Sequence, residues 1–135
     1  MTIVAAQGTD QDGDGIVEFR QVGEFAGLPH VRGEADPPPG EWSIHNTEVW
    51  GNRAFSSWYG HGIVSLDLSD PTHPALVGQF APSGAEGRIS PFLPEGVPSM
   101  WGVALDPARG LVYGSDMRSG LWILRPTGPA RPTVP

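Results

Sequence analysis

With 135 residues the chain is sized for one domain, and 39% apolar residues, five Trp and five Phe among them, supply enough material for a core, which excludes wholesale disorder. Net charge is −7, and the eight basic residues, all Arg, are scattered singly, so no cationic footprint for nucleic acid exists. Cys is absent, which excludes a disulfide framework, a thiolate metal site and a Cys nucleophile, and no apolar run is long enough to span a membrane.

The 19 Gly and 15 Pro, about a quarter of the chain, favour short strands and many turns over helices. Met1–Gln7 lacks the basic start and long apolar core of a signal peptide, so any export signal is expected outside this chain. The first chemical signal follows at once. Asp10, Asp12 and Asp14 alternate, Gly15 stands at the sixth place, Ile16 at the seventh and Glu18 at the ninth, matching the first nine places of a calcium loop. Hard Ca²⁺ takes six to eight oxygens, so the chain must curl around it; Gly15 permits the turn, Ile16 offers its backbone carbonyl, and Val17 is expected to anchor the loop in the core. Gln21 stands where the bidentate Glu of an EF-hand belongs, and too few residues precede the loop for an EF-hand helix. The loop more closely resembles the DxDxDG loops that join strands in integrin-α-type propellers. The plainer alternative is an Asp/Gly hairpin whose carboxylates cap their own backbone. Without a cation, adjacent carboxylates repel, which favours the metal.

Gln21–Ala26 reads as a strand, and residues 27–41, with Asp36-Pro37-Pro38-Pro39-Gly40, as a loop. A meander then unfolds: strand Trp42–Val49, turn Trp50-Gly51-Asn52, strand Arg53–Trp58, turn Tyr59–Gly62, strand Ile63–Leu66, a Pro-bounded turn from Asp67 to Pro74, and strand Leu76–Ala81. Residues 82–98 form a second loop. Strands Met100–Leu105, Leu111–Ser115 and Leu121–Leu124 follow, and the tail, residues 126–135, is expected to be disordered.

Two self-similarities organise these elements. Arg53–Asp67 matches Leu111–Arg125 without a gap at an offset of 58 (67 to 125), with Ser57/Ser115 and Gly62/Gly120 identical; the preceding strands match at 56 (Val49 to Leu105). Gln21–Ala26 matches Leu76–Ala81 at 55, with Val, Gly, Phe and Ala identical. Units of four antiparallel strands recurring every 40 to 60 residues are the blade signature of β-propellers. The expectation is therefore an all-β partial propeller: residues 1–26 as the last two strands of one blade, 42–81 as a complete blade, and 99–125 as the first three strands of a terminal blade, whose fourth strand would come from elsewhere in a longer chain. A self-contained two-sheet β-protein is the alternative architecture.

Gly62–Gly78 resembles an LVIVD repeat: Gly, an apolar strand, Asp67-Leu68-Ser69-Asp70-Pro71, two variable residues, Pro74, then Leu76-Val77-Gly78. Trp101–Arg125 resembles the terminal blade of bacterial members. The resemblance implies an exported or cell-surface bacterial propeller, extracellular or in the cell envelope, in a family mostly without assigned activity. The leading expectation is a non-catalytic scaffold or interaction module for a protein or carbohydrate ligand, joined to its remaining blades. Asp67 and Asp70 read as turn formers, not ligands.

No hydrolase, P-loop or dinucleotide motif occurs. The four His (His30, His45, His61, His73) lack metal-ligand spacing. His45, on a leading strand with Asn46 and Glu48, is the one placed for a channel metal site, which would make the chain a fragment of a metal-dependent propeller enzyme. Trp50, Trp58, Trp101 and Trp122 offer either a stacking surface or inter-blade packing.

Overall fold

The computed structural model describes residues 2–25, 43–82 and 97–134, and these fold into antiparallel strands with no α-helix among them. β1 (Thr2–Thr9) and β2 (Glu18–Glu24) pair as a first sheet. β3 (Asn46–Trp50), β4 (Arg53–Trp58), β5 (Gly62–Asp67) and β6 (Ala75–Phe80) form a second, in sequence order. β7 (Met100–Asp106), β8 (Leu111–Asp116) and β9 (Gly120–Leu124) form the third. The antiparallel all-β class is the one the sequence implies. Loop 27–41, the start of the strand expected from Trp42, and most of loop 82–98 lie outside the described residues.

The two central strands of the second sheet, β4 and β5, are buried on both faces, which is why they are apolar or small at nearly every position. Period-two alternation divides the strands. Ala54, Trp58, Val64 and Leu66 join Phe25, beside β2, in one core; Phe55 and Ile63 join Met100, Val103 and Val112 of the third sheet in another. Tyr59, whose φ of 21° is unusual for a bulky residue, accepts a hydrogen bond from the Met100 N–H at 3.0 Å and so ties the two sheets together. The Asn46 carboxamide adds a second tie. It takes the Val103 N–H at 3.2 Å and donates to the Val103 carbonyl at 3.1 Å, acting as one rung of a ladder between β3 and β7.

The sequence offsets reappear in the strand register. Ala54 pairs with Leu66 as Val112 pairs with Leu124, and Asn46 pairs with Ser57 as Gly102 pairs with Ser115. The 55-residue relation marks a shared irregularity: Val22 is the extra residue of a bulge between Gln21 and Gly23, and Val77 that of a bulge between Leu76 and Gly78. The glycine after each bulge admits a neighbouring segment. A Cβ on Gly23 would collide with the Pro71 carbonyl, and one on Gly78 would lie 2.8 Å from the Ala130 methyl.

The expected disordered tail is corrected here. Gly128–Ala130 form a 3₁₀ turn, Arg53 Nε donates to the Pro129 carbonyl at 2.8 Å, and the Thr133 N–H donates to Asn52 Oδ1 at 2.8 Å. Prolines here set the chain's path rather than freeing it, and buried Arg53 needs the carbonyl that Pro129 supplies. The 58-residue offset in fact runs on through the tail, matching Ser69, Pro71 and Pro74 with Thr127, Pro129 and Pro132. The turn hydrogen bonds match as well: His73 N–H to the Asp70 carbonyl, and Arg131 N–H to the Gly128 carbonyl, both 3.1 Å.

Candidate metal centre and neighbouring surfaces

Residues 10–17 connect β1 to β2, so pairing of the strands on either side holds the two ends of the acidic loop together. Gly13 and Gly15 take φ of 79° and 86°, left-handed turns that curl the chain back on itself. Asp10 sits at the loop entrance and Glu18 opens β2. Together with Asp12 and Asp14 they bring one carboxylate oxygen each within 4.8 Å of the others, a group that could hold a metal ion. Asp10, Asp12 and Asp14 are exposed and Glu18 half-buried.

Each carboxylate also caps backbone, as the plainer alternative requires. Asp10 accepts the N–H groups of Gly13 at 2.6 Å and Gly15 at 2.9 Å; Asp12 accepts Asp14 N–H at 3.3 Å; Asp14 accepts Ile16 N–H at 2.8 Å; Glu18 accepts Gln11 N–H at 2.9 Å. Capping uses one oxygen each of Asp12, Asp14 and Glu18, so their second oxygens stay open to a cation. Among the described residues no ion pair neutralises these four acids. Oxygen-only donors suit a hard cation. Ile16 lies within the loop, between Asp14 and Glu18, with its side chain 67% exposed. Val17 does not anchor the loop in the core, contrary to expectation: it lies in the exposed connection between β1 and β2 and is itself 49% exposed.

No protein-family model, curated protein or solved structure matches this chain.

The Asp67–Pro74 turn behaves as read. Asp67 accepts the Ser69 N–H at 2.8 Å and pairs with Arg53 at 2.6 Å, and hydrogen bonds from Ser69, ahead of the Arg53 charge, lower its pKa. In Asp70 the pKa falls from 3.8 to about 2, chiefly through the Thr72 hydroxyl, then His73 and the Thr72 N–H. His73 is an exposed member of that turn, 3.0 Å from Asp70.

The structure does not bring His45 and Glu48 together. Three residues apart on extended chain, they fall on opposite faces. The exposed His45 ring instead stacks on Trp101, centroids 3.9 Å apart, with Tyr59 edge-on at 6.0 Å. His61 is buried in the turn before β5, and His30 lies outside the described residues. The four tryptophans do not share one surface. Trp58 is buried against Phe25, Trp50 and Trp122 pack at the edge of the core between the second and third sheets, and Trp101 is 46% exposed.

One buried group escaped the sequence reading. The Asp116 carboxylate, 3% exposed, accepts the Ser99 N–H at 2.6 Å on one oxygen and the N–H groups of Arg118 and Ser119 at 2.9 and 2.8 Å on the other. Asp at the head of a short Gly-ended turn is the signal that pointed there.

Proposed function

We propose that this chain is an arc of a larger β-propeller, a non-catalytic scaffold or interaction module of an exported or cell-surface bacterial protein that presents a protein- or carbohydrate-binding surface. The observation that carries the reading is a repeated inter-sheet contact. A glycine after a bulge in one sheet accommodates the turn of the next, first as Gly23 against Pro71 and again as Gly78 against Ala130, and Pro71-Thr72 and Pro129-Ala130 are 58 residues apart. Like sheets related by like contacts support a radial array. The resemblance to LVIVD repeats supports the bacterial, exported setting.

Ala at Gly23 and Ala at Gly78 test the array. Each added methyl must displace a packed segment, at about 1–3 kcal/mol, and Gly23→Ala is expected to cost more because it meets a backbone carbonyl rather than a methyl. Urea melts of both variants read this directly. Wild-type stability in either one would show that its contact does not form.

Within this reading Asp10, Asp12, Asp14 and Glu18, with the Ile16 carbonyl, hold a structural Ca²⁺. Calcium at a hundredfold its Kd should stabilise the protein by about 2.7 kcal/mol, seen as a higher Tm. The double variant Asp12→Ala, Asp14→Ala should lose that shift, and its calcium-free Tm should fall only by what two exposed capping bonds contribute, about 1 kcal/mol each at most. A wild-type Tm indifferent to calcium overturns the site.

A further inference from the structure

We propose that Arg118, in the turn between β8 and β9, is a binding site for the carboxylate group of a ligand, held side-on by its Nε and Nη2. The inference stands on the hydrogen bonds of the third sheet alone. It depends neither on how the three sheets are arrayed nor on how far the chain continues.

The backbone of this turn is fixed. Asp116 accepts the N–H groups of Arg118 at 2.9 Å and Ser119 at 2.8 Å and the Ser119 hydroxyl at 3.0 Å on one oxygen, and the Ser99 N–H at 2.6 Å on the other. The Met117 N–H donates to the Ser99 carbonyl at 3.0 Å. Ser99 and Arg118 are thus bound through their backbones to the two oxygens of one carboxylate.

Their side chains are left incomplete. Arg118 is 7% exposed and Ser99 2%, yet Nε and Nη2 of Arg118 and the Ser99 hydroxyl have no hydrogen-bond partner. Among the described residues Arg118 forms no ion pair. Asp116 does not fill that place, because its oxygens are engaged by the backbone and by Ser119. A buried cation without a partner lowers stability. Arg53, 8% exposed, shows how the same chain treats a buried arginine with a structural role. There Nε donates to the Pro129 carbonyl, and Nη1 donates to the Asn52 carbonyl and pairs with Asp67.

Which nitrogens are unpartnered decides the ligand. Nε and Nη2 form one edge of the guanidinium plane, two parallel N–H donors that match the two oxygens of a carboxylate. The Ser99 hydroxyl is a further donor on the same turn. Because the Asp116 carboxylate lies within this turn, a singly charged carboxylate meets less repulsion than a phosphate dianion does. The approach is short: Met117 is 46% exposed and Gly120 is exposed, so the turn lies at the surface.

Nitrogen-15 spectra of the arginine Nε–H groups of the full chain test this, with sodium acetate replacing sodium chloride at constant ionic strength. Arg118→Lys identifies the Arg118 signal by its loss. In the wild type that signal should shift saturably, with half-saturation at roughly 10 mM or below, while those of the other arginines stay in place. Acetamide, the uncharged isostere, should leave it unmoved, and phosphate should bind less tightly than acetate. A signal indifferent to acetate up to about 100 mM, moved equally by acetamide, or saturated at lower phosphate than acetate overturns the proposal. Thermal melts of Arg118→Met give a second reading. Exchanging an unpaired buried charge for an apolar chain should leave the acetate-free Tm unchanged or raise it, and the acetate-dependent rise of the wild type should vanish. An acetate-free Tm well below wild type would show that the guanidinium has an internal partner, and would overturn the site.

Discussion

Asp116→Ala is expected to destabilise the protein by about 3–5 kcal/mol, the largest loss from any single polar side chain described here. Three backbone N–H groups, of Ser99, Arg118 and Ser119, end on this carboxylate, and the Ser119 hydroxyl adds a fourth donor at 3.0 Å. Asp116 and Ser99 are both buried, so water does not readily replace the lost acceptor. The bonds also have architectural reach. Ser99 leads into β7, whose Met100 is bonded to Tyr59 of the second sheet, so one carboxylate holds the β8–β9 turn and the entry of β7 in register. Asp116→Asn separates the contributions. Its remaining oxygen can keep Arg118 and Ser119 while its amide faces the Ser99 N–H, so about half the loss is expected. Thermal melts of both variants decide the point; near-native stability of Asp116→Ala would show that these N–H groups find other partners.

Strand order was legible because the chain's turns are spelled in residues with little conformational choice. Gly62 and Gly120 open β5 and β9 at φ of 77° and 88°, and Pro71 and Pro74 close the ladder after β5. Buried β4 and β5 also carry apolar residues on both faces, a pattern that a one-sided sheet would not show. The acidic loop was legible because ligand spacing is local: Asp10, Asp12, Asp14 and Glu18 converge within one connection. What stayed hidden depends on distance along the chain. The Asn46 amide finds its backbone partner at Val103, 57 residues away, and no local pattern distinguishes such an Asn from a turn former. The tail misled for a different reason. Proline richness reads as disorder, yet Pro129 and Pro132 occupy the places of Pro71 and Pro74, and periodicity outweighs composition there. Val17 looked like a core residue because it is apolar; its surroundings, not its type, leave it exposed.

Gly62 and Gly120, identical in the repeat and alike in φ, are expected to answer substitution differently. Both stand at a left-handed position, where an alanine costs roughly 1–2 kcal/mol. A Cβ at Gly120 would meet nothing within 4 Å, so Gly120→Ala should lose about that much and no more. At Gly62 the same methyl would drive into the Phe80 carbonyl, with the Ala81 Cα 2.8 Å away, and both neighbours are backbone. Relief requires the end of β6 to lift from β5, opening the Ile63–Phe80 pair and exposing part of the core beneath it. Gly62→Ala should therefore cost about 3 kcal/mol or more. The difference isolates the fourth strand, because β6 crosses over Gly62 and no described strand pairs with the outer edge of β9. Paired urea melts give the ranking, and equal losses in the two variants would mean that β6 does not bear on Gly62.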